Sequence, residues 1–177
     1  MVESEWFRLC KDREMPPIQS VKKLTQKKYP YFMDEQSFRA LDEDVAYYEY
    51  QGWSMMPDIL FEPTFMILDA LQPVFRQIEP SMEYRGLQLY AAEKVDTSPV
   101  PLYWVPYLPY TDCLHEATEV VAGKAGRIAV REACVQERRI LHAKLPADDL
   151  WLISLEAAEC LLRRQLVGIT MERIEVM

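Results

Sequence analysis

A chain of 177 residues, half of them hydrophobic, is sized for one domain with a full core, and a single domain over 1–177 is the expected organisation. Five glycines with no Gly- or Ser-rich run exclude a flexible or disordered chain. A net charge of −8 speaks against general phosphate recognition, so no nucleic-acid partner is expected; the local exception is Lys22, Lys23, Lys27 and Lys28.

No segment approaches the roughly 18–20 uninterrupted apolar residues that span a bilayer. The first residues carry Glu3 and Glu5 where a signal peptide needs basic ones, and no apolar run follows. The expected location is therefore cytoplasmic, with no membrane partner. Cys10, Cys113, Cys134 and Cys160 stand far apart with no C-x-x-C pair, which signals neither zinc nor a disulfide framework; buried reduced thiols are expected.

Residues 1–56 form the less regular part. Trp6 to Leu9 suits a short strand, Met15-Pro16-Pro17 a break, and 19–28 a solvated turn or short helix. Residues 37–45 suit a short helix with Phe38 and Leu41 inward, and 47–53 an edge strand of alternating aromatics. From residue 57 the plan is clearer. Thr64 to Leu68 reads as a strand buried on both faces, and Asp69 could cap the helix after it. Leu71, Val74, Phe75 and Ile78 recur at i, i+3, i+4 and i+7, one helical face, with Pro73 near the first turn. Pro80 ends that helix, and 87–91 resumes as a strand.

Prolines crowd residues 57–109, so 101–110 is expected to be an edge strand or a strand broken by a bulge. Residues 114–121 and 127–135 read as two strands joined by a hairpin turn at Gly123-Lys-Ala-Gly126, and 139–144 as another strand. The apolar run 150–153 is a strand, and Ser154 is a good N-cap for a helix over 155–164 with Leu155, Ala158 and Leu162 on one face and Leu161 beside it. Gly168 lets the chain leave that helix for the alternating strand 169–176. The expected fold class is α+β: a mostly antiparallel or mixed sheet with a few packed helices, ending in a strand–helix–strand unit.

The residues carry no readable catalytic or metal signature, and no cofactor is expected. His115 and His142 lack metal spacing, and His115-Glu116 would point to opposite faces of a strand. Nucleophile elbows, P-loops and dinucleotide fingerprints are absent, and Asp42-Glu43-Asp44 and Asp148-Asp149 read as solvated loops. The most suggestive binding feature is the aromatic group Tyr103, Trp104, Tyr107 and Tyr110, which combines apolar area with hydrogen-bonding tips. These four are the candidate partner-binding residues; the alternative is that alternate members fill the core.

Three segments together resemble a family: Arg138-Arg-Ile-Leu-His-Ala-Lys-Leu, Leu150-Trp-Leu-Ile-Ser154 with its helix, and Val167-Gly168-Ile169-Thr-Met-Glu-Arg-Ile-Glu-Val. They are similar to the C-terminal module of a bacterial immunity-protein family found beside polymorphic toxins, often called immunity protein eleven. Upstream, Pro57-Asp58-Ile-Leu-Phe, residues 65–78, and Tyr103-Trp104 running to Asp112-Cys113-Leu114 resemble its earlier landmarks, so the likeness covers about residues 57–176. Leu155 stands where that family commonly has an acidic residue, and Val167 where it has Thr. The resemblance implies a non-enzymatic cytoplasmic protein that binds and neutralises a cognate toxin, and it supplies no catalytic residues. An acidic chain would suit a basic toxin. The alternatives are a structural or regulatory interaction module without a toxin partner, and a small hydrolase using a carboxylate and His115.

Overall fold

The computed structural model describes residues 5–14, 19–20, 29–41, 44–49, 56–91, 101–136 and 138–177. The break at Met15-Pro16-Pro17, the four lysines at 22–28 and the end of the 47–53 stretch lie outside these residues.

Thirteen strands are described: β1 (Trp6–Lys11), β2 (Gln19–Ser20), β3 (Asp44–Glu49), β4 (Ile59–Leu60), β5 (Met66–Leu68), β6 (Glu83–Ala91), β7 (Leu102–Tyr107), β8 (Val120–Val121), β9 (Lys124–Ala125), β10 (Ala129–Val130), β11 (Ile140–Leu145), β12 (Asp148–Ser154) and β13 (Ile169–Val176). Four helices accompany them: α1 (Glu35–Arg39), α2 (Gln72–Ile78) after a 3-10 turn at Asp69–Leu71, α3 (Glu132–Val135) and α4 (Leu155–Leu162). One sheet has the order β10-β13-β1-β12-β11 and the other β2-β3-β6-β7-β5-β4, while β8 and β9 form a separate hairpin. The pairs β3–β6 and β10–β13 are parallel and the remaining pairs antiparallel, so both large sheets are mixed and the fold is α+β.

β1 pairs with β12 on one side and with β13 on the other, antiparallel to both. β12 and β13 therefore run parallel with the N-terminal strand between them, a split β–α–β arrangement closed through α4. Residues 57–176 thus do not complete their own sheet; β1 does.

Alternation along the strands builds three cores. Leu9, Trp151 and Ile153 of the first sheet meet Ile67 of the second, Val74, Phe75 and Ile78 of α2, and Ala157, Ala158 and Leu161 of α4. The other face of the second sheet, with Met66, Leu87, Tyr103 and Val105, is covered by Met33, Phe38 and Leu41. The other face of the first sheet, with Trp6, Leu141, Leu150 and Leu152, is covered by Cys113, Ile128 and Val135. Both faces of β12 are buried from Leu150 to Ile153, which is why it reads as an unbroken apolar run.

Local chemistry sets the helix ends. Asp34 Oδ1 accepts the Ser37 N–H at 2.7 Å, and this bond holds the carboxyl below its usual range. Ser154 Oγ accepts the Ala157 N–H at 3.3 Å at the start of α4. Ser154→Ala is expected to cost about 1 kcal/mol in chemical denaturation, and an unchanged midpoint would remove the cap from the account.

Several expectations are corrected. Neither β3 nor β7 is an edge strand; each has a neighbour on both sides. β7 tolerates Pro106 because its pairing with β5 involves only Tyr103 and Trp104, leaving Pro106 paired to β6 alone. The helix expected over 37–45 ends at Arg39, although Phe38 and Leu41 are buried as expected. Asp69 caps nothing: the cap position is Leu68, and the Asp69 carboxylate instead accepts the Trp104 indole N–H at 2.7 Å. The hairpin turn falls at Ala122 and Gly123, both with positive φ, one residue earlier than expected and between two-residue strands. Leu114 makes only an isolated bridge to Val130, and the expected strand 127–135 divides into β10 and α3. In α4 the buried stripe is Ala157, Ala158 and Leu161, while Leu155 and Leu162 are exposed. No helix among the described residues is long and apolar enough to cross a membrane.

Candidate functional site

The four aromatic candidates divide between two faces of β7 and the turn after it. Tyr103 is fully buried, and its hydroxyl donates to the Pro57 carbonyl. Tyr107 is buried and stacks on Phe38 with ring centroids 5.0 Å apart. Trp104 lies on the opposite face, half-buried and anchored by Asp69. Tyr110, also half-buried, enters a polar cluster on the other sheet. The four do not form one surface, and Tyr103 and Tyr107 serve the core.

That polar cluster centres on the β11–β12 hairpin, whose register sets His142 opposite Trp151 and Lys144 opposite Asp149. Period-two alternation brings Asp149 and Trp151 to the face of His142. Asp149 Oδ1 accepts from the Tyr110 hydroxyl at 3.1 Å and lies 2.9 Å from His142 Nε2. Asp149 Oδ2 accepts the Trp151 indole N–H at 3.1 Å. His142 Nδ1 lies 2.7 Å from the Leu108 carbonyl oxygen. The imidazole is 1% exposed and lies between Tyr110, tilted against it at a centroid distance of 4.2 Å, and Trp151, stacked on it at 4.1 Å; Trp151 in turn stacks on Phe65 at 4.3 Å. Burial, with the Asp149 charge second, pushes the Tyr110 hydroxyl well above its ordinary range and keeps it a donor. Both ring nitrogens of His142 lie against oxygens of the protein, so the imidazole itself presents no free nitrogen to a substrate. Its chemistry is to hold the hairpin and the turn after β7 together.

Asp148, on the opposite face of β12, belongs to an open site. The β1–β12 register runs from Trp6↔Ser154 to Arg8↔Leu152, whereas β1 continues to Lys11 and β12 starts at Asp148. Where the two strands part, a cleft of about 820 Å³ opens. Arg8 Nη2 bridges its walls, donating to both Asp148 oxygens at 2.8 and 2.7 Å. The Ala125 N–H reaches Asp148 Oδ2 at 3.0 Å and pins the β8–β9 hairpin as one side. Tyr31 and Phe61 supply aromatic surface, and Glu62 and Glu172 are exposed carboxylates on the lining. Lys11, Arg13 and Lys124 also line it and have no ion-pair partner among the described residues. The sequence signal that could have found this site was the Asp148-Asp149 pair, read above as a solvated loop. On a strand the two carboxylates face opposite ways and serve two different clusters.

Cys10 lines the cleft, and burial, opposed by Arg8, pushes its thiol from 9.0 up to about 12. Burial likewise raises the Cys113 thiol to about 11. The folded thiols hold protons that unfolded ones release, so their contribution to stability is complete below about pH 9 and is lost as pH rises toward 11 and 12. Urea denaturation across that range is expected to show falling stability, with a shallower fall for Cys10→Ala. An identical fall in the variant would contradict this assignment. His115 is half-buried, with its Nδ1 accepting the Ala117 N–H at 3.2 Å. Among the described residues no group of three or more His, Cys, Asp or Glu side chains could hold a metal ion.

A scan of the chain against protein-family models finds no match, and a search among curated proteins finds none either.

Proposed function

We propose that this chain is a cytoplasmic binding protein that neutralises a cognate toxin by direct contact, with the β1–β12 cleft as its seat. The observation that carries the reading is the cleft itself. It is open, lined by charges of both signs, and carries the aromatic groups of Tyr31 and Phe61. Mixed charge with aromatic anchors is the composition of a protein interface, where aromatics give affinity and charges give specificity and encounter rate. The partner is a basic protein: the net charge of −8 favours its approach, and Glu62 and Glu172 receive its cations. The resemblance over about residues 57–176 to immunity proteins supports the same reading. Trp104 and Tyr110, the two half-buried members of the aromatic segment, are supporting groups rather than the contact face.

The test is co-expression with the product of the neighbouring gene, scoring both a stable complex and survival of the host. Complex formation with protection supports the reading; neither complex nor protection overturns it. Within that complex, Glu62→Lys with Glu172→Lys is expected to weaken association by about tenfold, mainly through slower encounter at low salt. An unchanged association rate would move the interface away from the cleft.

A further inference from the structure

Inside the first sheet, β1 and β12 each keep one side paired and lose the other. β1 stays paired to β13 as far as Lys11↔Ile169, and the Asp12 N–H then donates to the Gly168 carbonyl at 3.1 Å. β12 stays paired to β11 down to Leu145↔Asp148. Between β1 and β12 the register ends at Arg8↔Leu152; continued, it would set Lys11 opposite Asp149. In an antiparallel ladder successive residues turn their backbone groups to opposite sides. The Asp12 N–H goes to the β13 side, and the Leu155 N–H goes to the Glu5 carbonyl on the β1 side. Lys11 and Asp149 therefore turn their backbone groups into the cleft. Among the described residues nothing bonds the Lys11 N–H or carbonyl there. The Asp149 N–H is met by a side chain instead. The Tyr31 hydroxyl accepts it at 3.4 Å, longer than the usual range of about 2.7–3.2 Å, and Tyr31 is 38% exposed.

We propose that the cleft takes an extended segment of the basic partner as an added strand, whose backbone bonds Lys11 and replaces the Tyr31 hydroxyl on the Asp149 N–H. This mode of entry rests on the reading of the cleft as the partner's seat. Strand addition draws its affinity from main-chain bonds of this kind and its specificity from alternate side chains. Consecutive residues of the segment turn their backbone groups to opposite sides, so one segment serves both walls. Its side chains alternate between the two faces of the sheet. Phe61 packs with Leu9 and Trp151 on one face, whereas Ala125 packs with Trp6 and Leu150 on the other. Glu172 is the cross-strand partner of Arg8, shares its face and suits a basic residue of the segment; Phe61 suits an apolar one. Lys11, Arg13 and Lys124 also line the walls, which disfavours an unbroken basic run and selects a segment that alternates basic with apolar residues.

The experiment titrates the isotope-labelled full chain with a short capped peptide alternating valine and lysine, and with a twin N-methylated at its lysines, following backbone amide signals by NMR. The expected result is saturable binding with a Kd of about 1 mM or tighter, the Lys11 and Asp149 amides moving most. The methylated twin keeps its side chains but loses donors along one edge, and is expected to bind about tenfold more weakly. Tyr31→Phe keeps the ring and removes the competing hydroxyl, so it is expected to tighten binding by about threefold, whereas loss of an ordinary contact would weaken it. Equal binding of the methylated twin, shifts confined to residues outside the cleft, or no binding at all overturns strand addition. The peptide titration needs no toxin. A failed titration beside a protective complex therefore strikes strand addition alone, and a bound peptide without any protective complex strikes the toxin reading alone.

Discussion

Asp149→Ala is expected to destabilise the fold by roughly 3–5 kcal/mol, the cost of removing one member of a buried charged hydrogen-bonded network. The carboxylate side chain is 6% exposed and serves three groups: His142 Nε2, the Tyr110 hydroxyl and the Trp151 indole N–H. Alanine leaves all three without their acceptor, and the His142 ring, 1% exposed, has no water to replace it. It also loosens the column in which Tyr110, His142, Trp151 and Phe65 stack. Asp149→Asn keeps one acceptor oxygen but turns an amide N–H₂ toward a donor, so its cost should be smaller and still clear. Chemical denaturation decides the matter. A loss below about 1 kcal/mol for the alanine variant would mean the network contributes little, as surface ion pairs commonly do.

Gly168→Ala is expected to cost roughly 2–4 kcal/mol, combining left-handed backbone strain with overpacking. Gly168 has φ +87°, and a Cβ added there would lie 2.6 Å from the Pro57 Cβ. Relief by moving apart is opposed by three bonds. Asp58 N–H donates to the Val167 carbonyl at 3.0 Å, the Val167 N–H to Asp58 Oδ2 at 2.7 Å, and the Asp12 N–H to the Gly168 carbonyl at 3.1 Å. The residue therefore ties the end of β1 and the 57–58 segment to the start of β13. Gly126→Ala is the control: its nearest neighbour would be 3.5 Å away, an ordinary contact, so its midpoint should shift little. Equal effects at the two positions would contradict the packing described for Gly168.

What was legible in the sequence follows from how local each cause is. The Leu71, Val74, Phe75 and Ile78 stripe was readable because helical period depends on residues within two turns. Ser154 was readable as a cap because its partner is three residues away. In α4 Ala158 and Leu161 are buried as expected, but Leu outranks Ala in hydrophobicity, so the pattern favours Leu155 and Leu162 where the packing takes Ala157 and leaves both leucines outside. Asp69 was assigned to its own helix because the indole that claims it lies 35 residues on. Gly168 was assigned to the exit of α4. The helix ends six residues earlier, Gln165 takes a left-handed turn with φ 52°, and glycine is needed at 168 for its contact with Pro57. The site was the least legible part. Placing β1 between β12 and β13 is a decision of tertiary structure, and the cleft exists only because β1 and β12 part after Arg8. The Asp148–Arg8 pair spans 140 residues, a separation no local pattern reports.

The most direct test of the central claim is backbone hydrogen exchange on the chain alone and on its complex with the neighbouring gene's product. Slowed exchange is expected on complex formation at Lys11 to Arg13, at Phe61 and Glu62, and at Lys124 to Gly126, the three segments that wall the cleft. Slowed exchange confined to other surfaces, with these three unchanged, would contradict it.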